Sequence, residues 1–222
     1  MSSPLIESKP RLIASLLVIL IIGSLTILAY TSSNTATSEA LKMGMKSTAG
    51  VMATQIHPSD LAGISPGDEN TPEYIAVAQK LQNMRSMNDH ILNAYILKVA
   101  TDGTVTFLVD DLYPDDPQGS AKIGEVSTAP DKEDILAALS SPTTSDKPYT
   151  TKYGSFMTAY APIDDAGADS SGNTYAILAI DVSAQNYEKL TSQGNFIILT
   201  GLISMILAVG AIFLQGGPRK EE

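Results

Sequence analysis

Two stretches of 19 residues without a single charge, 12–30 (LIASLLVILIIGSLTILAY) and 196–214 (FIILTGLISMILAVGAIFL), bracket this chain near its two ends. At ~1.5 Å rise per residue each would reach roughly 28 Å as a helix, about the thickness of a bilayer core. The core helix of a soluble protein seldom needs so long an uninterrupted apolar run, so both are read as transmembrane helices. The first also competes with a secretory leader, whose apolar stretch is usually ~7–15 residues. The small residues around Ser32 to Ala36 offer only a weak cleavage site, which favours an uncleaved anchor over a cleaved leader. Lys9 and Arg11 precede the first run, and Arg219 and Lys220 follow the second. Basic flanks stay in the cytoplasm. The expected topology is therefore a cytoplasmic 1–11, a span 12–30, an outside domain 31–195, a span 196–214 and a cytoplasmic tail 215–222 in the plasma membrane.

This layout relocates the charge. The formal charge of the 222 residues is -10, and residues 31–195 hold 21 acidic against 10 basic side chains. A domain so acidic has no basic stripe to neutralise phosphates, which argues against nucleic acid as a partner. Cysteine is absent, so disulfides, thiolate metal sites and cysteine nucleophiles are excluded, and the outer domain must hold by its own core. Two histidines, His57 and His90, lie 33 residues apart without paired carboxylate spacing and read as structural. There is no Gly-rich phosphate loop, no nucleophile elbow and no HExxH. No enzyme, cofactor or metal is expected.

The outer domain reads as an α+β unit. Leu41, Met45, Met52 and Ile56 recur at helical spacing, as a juxtamembrane helix continuing from the first span. That stripe packs either on its own domain or along a dimer seam of coiled-coil type. His57-Pro58 ends it, and Thr71-Pro72 reads as an N-cap with proline at the first helical position, opening a helix over 73–88. Tyr74, Val77, Ala78, Leu81 and Met84 share its inner face. The period then changes to two: 94–100 and 104–110 flank Thr101-Asp102-Gly103, a hairpin signal. A loop over 111–128, a short helix over 130–140, a short extended piece 148–152, and strands over 155–163 and 175–182 follow. A last helix, 183–194, runs into the second span. Hairpins rather than crossovers join the main strands, so the sheet is expected to be antiparallel.

Several strings in this region, Tyr95-Ile96-Leu97, TDGTVTFLVDD, PYTTKYGSFMTAYAPIDDAG and YAILAIDVSAQNY, carry a family likeness. Residues of about 36–190 resemble Cache domains of the PDC type, PAS-like extracytoplasmic sensor domains of histidine kinases, chemoreceptors and diguanylate cyclases. The resemblance implies a long N-terminal helix on one face of a five-stranded antiparallel sheet, with a small-ligand pocket on the other face. In that family an output domain usually follows the second span. Here eight residues follow Leu214, so signalling would pass through a separate membrane partner or a homodimer. The amino-acid-binding signature of the double-domain relatives is not evident, and the ligand class does not carry over.

Candidate site residues come from strand faces and from the resemblance. Phe156, Thr158 and Tyr160 share one face of their strand, and Tyr175, Ile177 and Asp181 one face of theirs. Rings around a carboxylate suit a pocket floor. Tyr95, Tyr113, Tyr149 and Tyr160, with Thr158 and Asp181, form the candidate ligand-binding set, and Tyr153 is a further possible rim. The plainer alternative makes the tyrosines half-buried sheet residues and Asp181 a cap for the helix beginning at Ser183. Lys98, the one base within the central strands, either neutralises an anionic ligand or faces solvent. Acidic turns at Asp110-Asp111, Asp115-Asp116, Asp164-Asp165 and Asp169 offer oxygens to calcium but match no EF-hand spacing. Two functions fit: a membrane-anchored sensor of small molecules outside the cell, or a non-catalytic accessory subunit using the fold for protein contacts.

Overall fold

A computed structural model of the chain describes residues 4–164 and 176–214. In chain order its elements are α1 (Pro4–Ala53), α2 (Pro58–Leu61), α3 (Pro72–Ser86), β1 (Ile91–Val99), β2 (Val105–Asp110), α4 (Lys132–Ala137), β3 (Thr143–Thr144), β4 (Tyr149–Thr151), β5 (Gly154–Ile163), β6 (Ala176–Ser183), α5 (Ala184–Thr191) and α6 (Asn195–Leu214). They fall into two compact units, Glu39–Lys189 and the terminal segments Met1–Ser38 with Leu190–Glu222.

In the terminal unit, both apolar runs form helices long and apolar enough to cross a membrane. Of their most apolar windows, 6% and 0% are buried within the chain, whereas a soluble core helix would be mostly buried. The two helices meet through small residues. Gly201 is buried against Thr26, and a methyl group in place of its hydrogen would run into the Thr26 side chain. Gly194 lies in the same way against Tyr30 and Asn34. Thr26 donates its hydroxyl to the Ile22 carbonyl at 2.7 Å, so no polar group is left bare in that contact.

In the Glu39–Lys189 unit the sheet runs β2-β1-β6-β5-β3, all pairs antiparallel, and β4 also pairs with β5. β3 lies beside Ala159 and Tyr160 while β4 lies beside residues 154–156, so these two short strands divide one edge position between them. The sheet is five strands wide and built from six segments. Two-residue β3 was not foreseen in the sequence, because two threonines carry no periodicity. The hairpin is where the dipeptide Asp102-Gly103 put it: Gly103 takes φ +77°, and Ala100 donates to the Thr104 carbonyl at 2.9 Å.

Each sheet face has its own core. On one face, Ala94, Ile96, Leu178, Ile180, Ala159 and Ala161 meet Met52, Ala53 and Ile56 of the α1 end and its extension, and Tyr74, Val77 and Leu81 of α3. The α1 stripe thus packs on its own domain. Thr71 caps α3 by accepting from the Tyr74 amide at 3.4 Å, as the Thr-Pro pair foretells. On the other face, Tyr95, Leu97, Tyr160, Ile177 and Ala179 pack against Ile135 and Ala138. That second core covers only part of its face. Beyond it, toward Asn93, Asp181 and Tyr149, the face becomes polar.

Candidate functional site

β5 and β6 place Thr158 opposite Asp181, and β1 places Asn93 opposite Asp181 from the other side. The second pairing depends on a bulge. Register slips between Ile91 and Asn93, leaving Leu92 unpaired, and this turns Asn93 toward the carboxylate. Asp181 is 3% exposed. Its Oδ1 accepts from Thr158 Oγ1 at 2.7 Å and from Tyr95 OH at 3.2 Å, and its Oδ2 from Asn93 Nδ2 at 3.1 Å. Burial pushes the Asp181 carboxyl up to about 6, although the three donors hold it below what burial alone would give. Among the described residues the Asp181 oxygens are used within the sheet face, by Thr158, Tyr95 and Asn93, and not at the start of α5.

The network continues outward. Tyr149 OH lies 2.7 Å from Thr158 Oγ1 and 3.2 Å from Tyr160 OH, and Tyr160 donates to Asp131 Oδ2 at 2.7 Å. Burial raises the pKa of the Tyr95, Tyr149 and Tyr160 hydroxyls, so all three stay neutral at ordinary pH. Burial also raises Asp131, whose Oδ1 is buried without a hydrogen-bond partner among the described residues.

Over this network lies a cavity of about 60 Å³. Asn93, Asp181, Tyr95 and Tyr149 form its floor; Phe107, Tyr153 and Phe156 contribute rings; Asp110 and Leu112 stand in the wall with small residues such as Ser127, Thr128 and Ala129. Phe107 lies 5.3 Å from Tyr95 and 6.1 Å from Tyr153 between ring centroids, the second contact edge-on. Gly154 makes the wall possible. It holds φ +140°, and any side chain there would strike the Phe156 ring. Tyr153 OH bonds the Glu125 carboxylate, which also pairs with Lys152 at 3.0 Å.

Asp110 is the second buried carboxylate of the wall. It accepts from the Leu112 amide at 3.0 Å and the Ala121 amide at 2.8 Å, and burial carries it up to about 6. Its neighbour Asp111 turns the other way, onto α3, where it pairs with Arg85 and accepts from the Ala94 amide at 3.1 Å. The Asp110-Asp111 oxygens thus serve the fold, and no group of three metal-ligating side chains occurs among the described residues. The acidic turn at Asp165 and Asp169, like Tyr175, Arg219 and Lys220, lies outside the described residues.

Of the six candidate residues, five converge: Tyr95, Tyr149 and Asp181 line the cavity, with Thr158 and Tyr160 directly beneath in the hydrogen-bond network. Tyr113 stands apart, packed edge-on against Tyr74 at 5.7 Å in the helix-side core. Lys98 is exposed and is not among the lining residues. Sequence reading missed Asn93, Phe107, Asp110 as wall, and Asp131. Phe107 alternates onto the same face as Val105, a signal that was present; Asn93 depends on a bulge and carried none.

No family model matches the sequence, and neither does any curated protein. Among solved structures, the chain is similar to the sensory domain of the Campylobacter jejuni chemoreceptor Tlp3 (CcmL) with isoleucine bound, at 14% identity and TM-score 0.46, over 78% of this chain and 63% of that one. It is also similar to the E. coli DcuS sensor domain, at 14% identity and TM-score 0.45, over 70% of this chain and 97% of that one.

Proposed function

We propose that the chain is a membrane-anchored, non-catalytic sensor, with residues 31–195 outside the cell binding a small solute and both ends in the cytoplasm. One observation carries the reading: a partly polar cavity on the sheet face away from α1 and α3, floored by a fully buried carboxylate with oriented donors around it. A fold used only as a spacer has no reason to bury Asp181, since an unpaired buried charge costs several kcal/mol. A desolvated carboxylate facing a partly polar cavity is a feature of binding sites.

The basic residues beside the two apolar runs support the topology. α1 is one helix from the first apolar run to Ala53 in the domain core, and α5 leads from β6 toward α6. A solute that favours one arrangement of these elements shifts their population and is read by a membrane partner. The test is a thermal-shift screen of the whole chain in lipid nanodiscs against small amines, acids, alcohols and sugars. At least one class raises the midpoint of wild type and not of Asp181→Asn. If no class does so, the cavity is inert and the accessory-subunit reading takes its place.

A further inference from the structure

The cavity's charge is one-sided. Asp181 and Asp110 are 3% and 8% exposed, and both line it. No Lys, Arg or His does so among the described residues. Lys152, in sequence between the lining residues Thr151 and Tyr153, is paired with Glu125 at 3.0 Å and lies 4.8 Å from the centre of the Tyr153 ring. Asp111, by contrast, has Arg85. Asp181 and Asp110 thus have hydrogen-bond donors but no cationic side chain beside them among the described residues. Each of those two also repels the other. Rings stand beside them in the lining, with Tyr95, Phe107 and Tyr153 in successive contact. Ring faces attract cations and tolerate alkyl groups.

We infer that the cavity takes a small primary ammonium, its N–H groups directed at the Asp181 carboxylate and its alkyl part against Tyr95, Phe107 and Tyr153. This rests on the sensor reading and narrows it to a ligand class. An anion would meet two buried carboxylates and no base. A neutral solute would leave their charge uncompensated. A calcium ion requires six to eight oxygen ligands, and no group of three metal-ligating side chains occurs among the described residues. Among the described residues Asp181 Oδ2 accepts from Asn93 alone and keeps a lone pair for an incoming N–H. At about 60 Å³ the cavity has room for roughly four non-hydrogen atoms.

The experiment uses three solutes of matched size and different charge: propylammonium, propionate and 1-propanol. Each is titrated calorimetrically into the full chain in zwitterionic nanodiscs at pH 7.5 and 150 mM salt, with wild type and Asp181→Asn. Asparagine keeps the size of the side chain, and circular dichroism confirms that the variant is folded. Propylammonium binds wild type, and its affinity falls tenfold or more in Asp181→Asn, while propionate and propanol do not bind. Propionate or propanol binding that depends on Asp181 overturns the ammonium assignment and leaves the sensor reading standing. Propylammonium binding with equal affinity to both proteins is attraction to the acidic surface and overturns it too. If none of the three binds, the ammonium assignment fails, and the broader solute screen decides whether the sensor reading fails with it.

Discussion

Thr158 and Asp181 are direct partners across β5 and β6, and the Thr158 hydroxyl donates to the Asp181 carboxylate at 2.7 Å. This bond is the first of four in a line of oxygens, Asp181–Thr158–Tyr149–Tyr160–Asp131, spaced at 2.7, 2.7, 3.2 and 2.7 Å. The three hydroxyls bring three protons, and an ionised carboxylate brings none. One contact must then lack a proton while both carboxylates are charged. Thr158 gives its proton to Asp181, Tyr160 to Asp131, and Tyr149 to Thr158. The Tyr149–Tyr160 contact is left over, and it is the long one. A proton taken up by either carboxyl completes the line.

That shortage has a consequence for stability. Asp181 and Asp110 titrate near 6 in the fold, against about 3.9 in an unfolded chain. With the folded value raised, their contribution is fully present below about pH 4 and is lost as pH rises through 6. Asp131 and Asp111 shift in the same direction. The ligand-free protein should have a higher denaturation midpoint at pH 5 than at pH 7.5. Asp181→Asn should be more stable than wild type at pH 7.5 by about 2–3 kcal/mol, with a smaller difference between the two pH values. A lower midpoint at pH 5 would show that these carboxylates are compensated in the fold.

Arg85 presents the opposite case. Its guanidinium pairs with an Asp111 carboxylate whose side chain is 0% exposed, and Asp111 also ties β2 to the Ala94 amide of β1. Replacing Arg85 by methionine leaves a buried charge without a partner and should cost about 3–5 kcal/mol by urea denaturation. Arg85→Met combined with Asp111→Asn should recover part of that loss. Equal losses in the single and double variants would mean that the ion pair contributes nothing.

The contact of Gly201 with Thr26 can be tested chemically, because the chain has no cysteine of its own. Thr26→Cys with Gly201→Cys should form an intramolecular disulfide on mild oxidation in membranes. Thr26→Cys with Leu207→Cys should not, since Leu207 is 68% exposed and points away from other residues of the chain. Electrophoresis without reductant distinguishes the two. Equal cross-linking in both pairs would contradict the packing of these helices through glycine.

Much of this was legible in the residues, for definite reasons. The apolar runs, the Thr71-Pro72 cap and the Asp102-Gly103 hairpin are local signals, and each forms the element expected of it. Alternation placed Thr158 and Tyr160 on one side of β5 and Asp181 on the matching side of β6, so the cavity floor could be read one strand at a time. Alternation alone does not say which strands are neighbours. The β1–β6 pairing joins residues about 90 positions apart, and only that pairing brings Tyr95 and Asn93 to Asp181. Tyr113 could not be placed in this way, because a tyrosine in a loop has no face; the structure sets it on the helix side, against Tyr74.

The central claim is that the cavity above Asp181 is a binding site, and the absence of tryptophan from the chain permits a direct measurement. Phe107→Trp places a single indole in the cavity wall. Its fluorescence in the full chain should change saturably when small solutes, propylammonium first among them, are titrated at pH 7.5. The change should disappear when Asp181→Asn is added. Emission that no solute alters, or that changes identically with and without Asp181, would contradict the account.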